Sequence, residues 1–154
     1  MADSAATIMT RNVISVGPDA PVVAVAALLV KHGISAVPVV DKSGKLCGMI
    51  SEGDLMKPFG VKVQARREWW LEMLAEGERL APEFLAYISE DHHTAGNLMT
   101  RDLVTVTESA TVPEVADLLI KNRIKRVPVV RDGAVVGIVS RADIVRTLAR
   151  SAPT

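Results

Sequence analysis

Residues 34–40 read ISAVPVV, and residues 124–130 read IKRVPVV, 90 positions later. Working outward from this pair, Met9–Val40 lies over Met99–Val130 with 16 of 32 positions identical, and MTRNVISV falls on MTRDLVTV. After one gap, Gly44–Lys57 lies over Gly133–Arg146, where GMISEGDLMK meets GIVSRADIVR and 4 of 14 positions agree. Those four are two glycines (Gly44 with Gly133, Gly48 with Gly137), Ser51 with Ser140, and Asp54 with Asp143. The chain is therefore two copies of a unit of about 50 residues, separated by an unmatched stretch from about Pro58 to His93. Such a repeat governs the fold.

Each copy reads as strand, helix, strand, strand, helix. Val13–Val16 and Leu103–Val106 are rich in β-branched residues, as strands are. Asp19 or Pro21 can start the next helix. In the second copy Thr111 and Glu114 have capping-box spacing, with Pro113 in the first turn. Val25, Leu28 and Leu29 form a helical stripe, repeated by Val115, Leu118 and Leu119. Val37–Val40 and Val127–Val130 are short strands, each with a proline near its start. Asp41–Gly44 and Arg131–Gly133 are hairpin turns, and Asp132-Gly133 is a strong turn signal. Leu46–Ile50 and Val135–Val139 return, and Ser51 and Ser140 open the last helix of each copy. One such unit would leave a sheet face exposed. Two copies suggest sheets packed about a pseudo-two-fold axis, with clefts related by that axis.

The composition narrows the function. Of 154 residues, 49% are hydrophobic, and 18 basic side chains balance 18 acidic ones. Mean hydropathy is +0.25. This is neither the low hydrophobicity nor the high charge of a disordered chain. A nucleic-acid binder usually carries a basic excess, which is missing here. The single cysteine, Cys47, excludes an internal disulfide and a four-cysteine zinc site, and one thiol fits a reducing cytosol. No apolar run approaches the roughly 20 residues a membrane helix needs. The start, MADSAATIMTR, does not read as a secretory signal. The expectation is a cytoplasmic protein without membrane or nucleic-acid partners.

The lead-ins MTRNVISV and MTRDLVTV, the segments GISAVPVVD and RIKRVPVVR, and the endings GMISEGD and GIVSRAD together resemble the CBS domain, the cystathionine-β-synthase-type module, present as a tandem pair. The resemblance covers about 95–100 of the residues. It implies an α/β (α+β) fold of two β-α-β-β-α repeats packed about a pseudo-two-fold axis. The boundaries would be 1–57 for repeat 1, 58–93 for a helical insert, 94–150 for repeat 2 and 151–154 for a tail. It also implies a sensor of adenosine-type ligands, AMP, ADP or ATP above all, held in clefts between repeats, and modules paired into disc-shaped dimers.

By that resemblance Asp54 and Asp143 would hold the ribose hydroxyls, since a carboxylate offers a diol two acceptors. Ser51 and Ser140 lie one turn earlier, where a helix N-terminus favours an anion. The adenine cradle would be Thr10, Val13, Ile34 and Ala36 in the first copy, and Thr100, Leu103, Ile124 and Arg126 in the second. Related sites are composite, so Ser51 and Asp54 are paired with the second cradle, and Ser140 and Asp143 with the first. At the phosphate position the copies differ: Ser35 in one, Lys125 in the other, with Arg123, Arg126 and Arg141 near in sequence. The two sites should then differ in ligand or affinity.

Plainer readings stand beside these. Ser-x-x-Asp also fits a helix N-cap with an acid in the first turn. Lys125 and Arg126 also fit a solvated face, and Lys31 and Lys121 fit last-turn charges. Cys47 reads as a small core residue. His92-His93 beside Asp91 lacks a metal-ligand cluster around it. No activated nucleophile, acid–base pair or Gly-rich phosphate loop is present, so no catalytic residues and no cofactor are assigned and the chain is not read as an enzyme.

All five aromatics, Phe59, Trp69, Trp70, Phe84 and Tyr87, fall between the copies. Trp69, Trp70, Met73 and Leu74 share a helical stripe, and Phe84, Leu85 and Ile88 form another. These stripes either cover the chain's own core or, with Trp69, Trp70, Met73, Leu74 and Phe84 as anchors, make a dimer or partner surface. The sequence thus favours a stand-alone regulatory module, most simply a homodimer, that binds an adenine nucleotide and signals to a protein partner. The alternatives are a ligand-free scaffold acting through the insert and, third, a nucleic-acid binder.

Overall fold

Pro21 and Gly33 bracket the first long helix, and both boundaries follow from backbone chemistry. The computed structural model describes residues 3–56 and 93–151. Its elements are α1 (Ala5–Ile8), α2 (Val22–His32), β1 (Ala36–Val40), β2 (Leu46–Ser51), α3 (Glu52–Met56), α4 (Ala95–Leu98), α5 (Val112–Lys121), β3 (Arg126–Arg131), β4 (Ala134–Ser140) and α6 (Arg141–Arg150). This is a mixed α/β fold with two small sheets, β1–β2 and β3–β4. Asp91, His92, Trp69, Trp70, Met73, Leu74 and Phe84, with the rest of the expected helical insert, lie outside the described residues.

Over the described residues the chain divides into two units that do not follow the repeats. Unit 1 gathers Met1–Ser15, Val40–Leu46 and Asp102–Thr154; unit 2 gathers Val16–Val39 and Cys47–Arg101. Each repeat thus lends its lead-in to the unit built on the other. In unit 1 Thr10 bridges Ile138 on β4, and Ser4 bridges Thr111. In unit 2 Thr100 bridges Met49 on β2, and Thr94 bridges Pro21.

The lead-ins also carry short helices that sequence periodicity did not reveal, because four residues are too few to display a period of 3.6. Thr7 Oγ1 accepts from the Ser4 N–H at 2.9 Å at the start of α1. The arginine of each MTR triplet closes its short helix from the other end. Arg11 donates to the Ala6 carbonyl at 2.9 Å, and Arg101 donates to the Gly96 carbonyl at 3.1 Å.

The expected strands at Val13–Val16 and Leu103–Val106 contract to single parallel bridges, Val16 with Val39 and Val106 with Val129. Proline is the reason. Val16 donates to the Pro38 carbonyl at 3.1 Å, and Val106 to the Pro128 carbonyl at 3.1 Å. The next rung toward Ile14 or Val104 would need an N–H from Pro38 or Pro128, and proline has none.

In unit 1, β3 and β4 are antiparallel, with Val127 opposite Val139 and Val129 opposite Gly137. Val127, Val129 and Val139 are fully buried against Val115 and Leu119 of α5, Ile144 of α6 and Met9 of the lead-in. Val37, Val39, Ile50, Val25 and Leu29 are the matching buried residues of unit 2. The Thr111–Glu114 capping box forms as expected, with the Glu114 N–H on Thr111 Oγ1 at 3.2 Å and the Thr111 N–H on the Glu114 carboxylate at 3.1 Å. Cys47 is half-buried rather than a core residue.

The two long helices end differently. α2 stops at Gly33, which takes a left-handed φ of 62°, and Ile34 N–H returns to the Leu29 carbonyl at 3.0 Å. Arg123 holds the same place after α5, with φ at 53° and the Ile124 N–H on the Leu119 carbonyl at 3.0 Å. A side chain with Cβ is strained there, whereas glycine is not. Arg123→Gly should stabilise the chain by about 0.5–1 kcal/mol, read as a rise in Tm. A fall would mean that the arginine side chain contributes more than its strain costs.

A surface ion pair adds a pH dependence to unit 1. Arg131 donates bidentately to Glu108, at 2.6 and 2.7 Å. The Arg131 hydrogen bond holds the Glu108 carboxyl below its ordinary 4.5. The Ser43 hydroxyl, and then the Lys45 N–H, do the same for Asp41 in its hairpin turn. A carboxyl with a depressed folded-state pKa binds its proton more readily in the unfolded chain. Its stabilisation is therefore present above the ordinary value and is lost as pH falls through the folded one. Acid titration of Tm should show a shallower decline below pH 4.5 in Glu108→Gln than in the wild type. Identical slopes would refute a contribution from this pair.

Candidate functional site

Ser51 ends β2 and Ser140 ends β4, and each starts the following helix. The cap and the buried acid are one local structure in both copies. The Ser51 N–H donates to Asp54 Oδ2 at 2.9 Å, its hydroxyl donates to the same oxygen at 3.1 Å, and the Asp54 N–H returns to Ser51 Oγ at 3.3 Å. The Ser140–Asp143 pair repeats this at 2.8, 3.0 and 3.3 Å. The N-cap reading of these motifs is therefore realised. The exchange also fixes the rotamer of each aspartate. Both side chains are buried although charged, with 6% of Asp54 and 5% of Asp143 exposed.

In unit 2 the Thr100 hydroxyl, from the lead-in of repeat 2, donates to Asp54 Oδ1 at 3.1 Å. Thr100 is held there by backbone bonds to Met49 at 2.8 and 3.0 Å. In unit 1 Thr10 is likewise tied to Ile138, at 2.8 and 3.1 Å, but Asp143 Oδ1 is taken by the guanidinium of Arg146 one turn along α6. Sequence reasoning passed over Arg146. Its spacing of three from Asp143 on a helix was the available signal.

Two glycines let the lead-ins come this close. A Cβ on Gly48 would lie 2.7 Å from both Met99 Sδ and the Thr100 carbonyl oxygen. Gly137 likewise faces Met9, through the methionine side chain alone. The glycine shared by the G-h-h-S segments thus marks the crossing of the other repeat's lead-in over the strand.

The remaining expected residues are distributed as follows. The Glu52 N–H donates to the Ser35 carbonyl at 2.9 Å, so Ile34, Ser35 and Ala36 join Ser51 and Asp54 in unit 2. The Arg141 N–H donates to the Lys125 carbonyl at 3.0 Å, so Ile124, Lys125 and Arg126 join Ser140 and Asp143 in unit 1. The sequence pairing of each aspartate with the other copy's cradle therefore divides. The threonine does come from the other repeat, whereas the segment around Ser35 or Lys125 comes from the aspartate's own. A local bond from the first helical residue to that segment is the reason. Val13 shares unit 1 with Thr10, and Leu103 also belongs to unit 1.

These features can be set against known proteins. The family model for the CBS domain matches residues 5–59 and 95–150. The chain is 32% identical over 146 residues to the uncharacterized protein MJ1426 of Methanocaldococcus jannaschii, covering 90% of this chain and 87% of that one. It resembles the CBS domain pair of protein MJ0100 in complex with 5′-methylthioadenosine and S-adenosyl-L-methionine, with a TM-score of 0.71, 28% identity, and 99% and 100% of the two chains covered. It also resembles CBSX2 of Arabidopsis thaliana in complex with AMP, with a TM-score of 0.74, 25% identity, and 97% and 98% covered. Other relatives are longer: the chain spans 52% of one, and 22% of two that carry enzyme names. Among the described residues no helix is long and apolar enough to cross a membrane. With two matched repeats covering most of its length and the fold of solved CBS pairs, this chain belongs to the CBS domain family.

Proposed function

We propose that the chain is a regulatory module that binds an adenine nucleotide and passes its occupancy to a protein partner. The observation that carries the reading is the buried Asp54 carboxylate, whose Oδ2 is held by Ser51 while its Oδ1 faces Thr100 from the other repeat. A ribose diol arriving there would contact both repeats at once, which couples occupancy to their packing. Ser35, Ile34 and Ala36 stand beside that turn, and Lys125, Arg126, Ile124 and Thr10 have the corresponding places around Ser140 and Asp143. Support comes from two related CBS pairs that carry AMP or S-adenosylmethionine and methylthioadenosine. No catalytic role is proposed, and the protein is placed in the cytoplasm.

A second copy of the chain is the other partner we propose. Exposed apolar side chains recur at matched positions: Val30 (83% exposed) with Ile120 (77% exposed), and Met56 with Val145. Leu148 extends the set on α6. Exposed apolar side chains of this kind, present in each unit, are what a second copy would cover. Sedimentation equilibrium should return twice the chain mass of 16.5 kDa, and a monomer at micromolar concentration would refute the dimer.

Thermal unfolding against AMP, ADP, ATP and S-adenosylmethionine tests the main reading. A ligand at 100 times its Kd adds about 2.7 kcal/mol, a rise of about 5–10 °C in a chain of this size. No rise with any of the four, in folded protein freed of co-purified ligand, would favour a scaffold acting through the segment that holds Trp69 and Trp70.

A further inference from the structure

Of the aspartates and asparagines in the sequence, Asp132 alone precedes glycine. The pair forms the two-residue turn between β3 and β4, where Arg131 lies opposite Ala134. Both turn residues have positive φ, 53° at Asp132 and 81° at Gly133, which makes a type I′ turn. Both are exposed. Water therefore reaches the bond between them, and glycine has no side chain to crowd its nitrogen.

Joining that nitrogen to Asp132 Cγ closes a five-membered ring. In a type I′ turn the nitrogen faces away from Cβ of the first residue. In type II′ the peptide plane is turned over, φ of the first residue stays positive, and nitrogen and Cβ lie on the same side. Both types fit a two-residue hairpin, and glycine in second place accepts either sign of φ. The turn thus reaches the ring-closing geometry without disturbing its strands.

We propose that Asp132 is a site of spontaneous isomerisation to isoaspartate. The Gly133 nitrogen attacks Cγ of the protonated carboxyl. An N–Cγ bond forms, the bond from Cγ to its hydroxyl breaks, and the amide proton leaves with that hydroxyl as water. The product is a cyclic imide, which water opens again. Opening at the side-chain carbonyl restores aspartate. Opening at the backbone carbonyl leaves the chain linked through Cγ, its backbone longer by one methylene.

The hairpin of repeat 1 is protected from this chemistry. Asp41 precedes Lys42, whose side chain crowds the nitrogen. Asp41 Oδ1 also accepts the Ser43 N–H at 2.8 Å, the Ser43 hydroxyl at 2.6 Å and the Lys45 N–H at 3.0 Å, which hold the group as an engaged carboxylate. The Asp132 turn, moreover, carries more than its own hairpin. The Gly133 carbonyl accepts the Leu46 N–H at 2.9 Å, and Lys45 bridges Ala134, all within unit 1. A methylene added just before Gly133 displaces that carbonyl, so isomerisation loosens this junction.

The test is prolonged incubation of the full chain in warm, mildly acidic buffer, followed by tryptic mapping of residues 132–141. A second peak of identical mass should grow, with a transient form lighter by one water, and fragmentation should place both changes at Asp132. Asp132→Gly keeps the turn as a Gly-Gly pair and should show neither. Asp132→Asn forms the same imide by losing ammonia and should convert faster. The Tm of the wild-type chain should fall as the second peak grows, while that of Asp132→Gly aged alongside stays constant. No second peak, over a period in which a synthetic peptide of residues 129–136 converts, would overturn the site. Conversion without a fall in Tm would overturn the loosening of the junction.

Discussion

Replacing both Asp54 and Asp143 by alanine should erase the thermal shift expected of AMP on the wild-type chain. In the wild type the expected shift is about 5–10 °C at 100 times Kd. In the double variant it should fall to within error of zero, because neither turn retains a carboxylate for a ribose diol. The absolute Tm will fall as well. Each aspartate closes a capping box with its serine, and losing one costs about 1 kcal/mol. The readout is therefore the difference between liganded and free protein for each variant. Thr100→Val separates the two roles at the first site: it removes the hydroxyl on Asp54 Oδ1 and leaves the Ser51 cap whole. A full AMP shift in the double variant would place binding elsewhere in the chain.

The second large effect is expected from one methyl group. Gly48→Ala sets a Cβ 2.7 Å from the Thr100 carbonyl oxygen and 2.9 Å from Met99 Cγ. The methionine can rotate, but the carbonyl is backbone and is fixed by its bond to the Met49 N–H at 3.0 Å. The lead-in must therefore lift off the strand. Overpacking of this kind costs about 1–3 kcal/mol, and at about 2–4 °C per kcal/mol the loss is easily measured. The shift should also weaken the proposed nucleotide binding at Asp54, since Thr100 moves with its carbonyl. Ala in place of Gly17, which has open space around it, is the control and should change Tm little. Equal melting of the Gly48 and Gly17 variants would mean that the lead-in does not cross as described.

Much of this protein is legible along the chain. The offset of 90 between ISAVPVV and IKRVPVV reveals the duplication. The stripes of Val25 and Leu29, and of Val115 and Leu119, locate the long helices, and Asp132-Gly133 locates a hairpin. These features depend on neighbours a few residues apart, so local sequence suffices. The Ser-x-x-Asp caps belong to the same class, which is why both Ser51 and Ser140 were found with their aspartates.

The remainder depended on contacts between distant parts of the chain. Nothing local shows that residues 94–101 complete the fold of repeat 1, or that the N-terminal lead-in completes repeat 2. A lead-in of a few residues pairs with whichever strand edge it meets, and only packing of Met99 beside Gly48 and Met9 beside Gly137 selects the other repeat's. The loss of the first strand turns on the missing N–H of Pro38 and Pro128 in a parallel rung, which requires knowing the partner strand. The distant partner of Asp54 was equally hidden. The Ser-x-x-Asp motif by itself shows neither the Thr100 hydroxyl on Asp54 nor the Arg146 guanidinium on Asp143. Sequence alone determined the repeat, the local elements and the acid of each turn. Tertiary structure decided which repeat completes which, because hydrogen bonds and steric fit between segments distant in the chain, Thr100 on Asp54 and Thr10 on Ile138, leave no periodic trace in it.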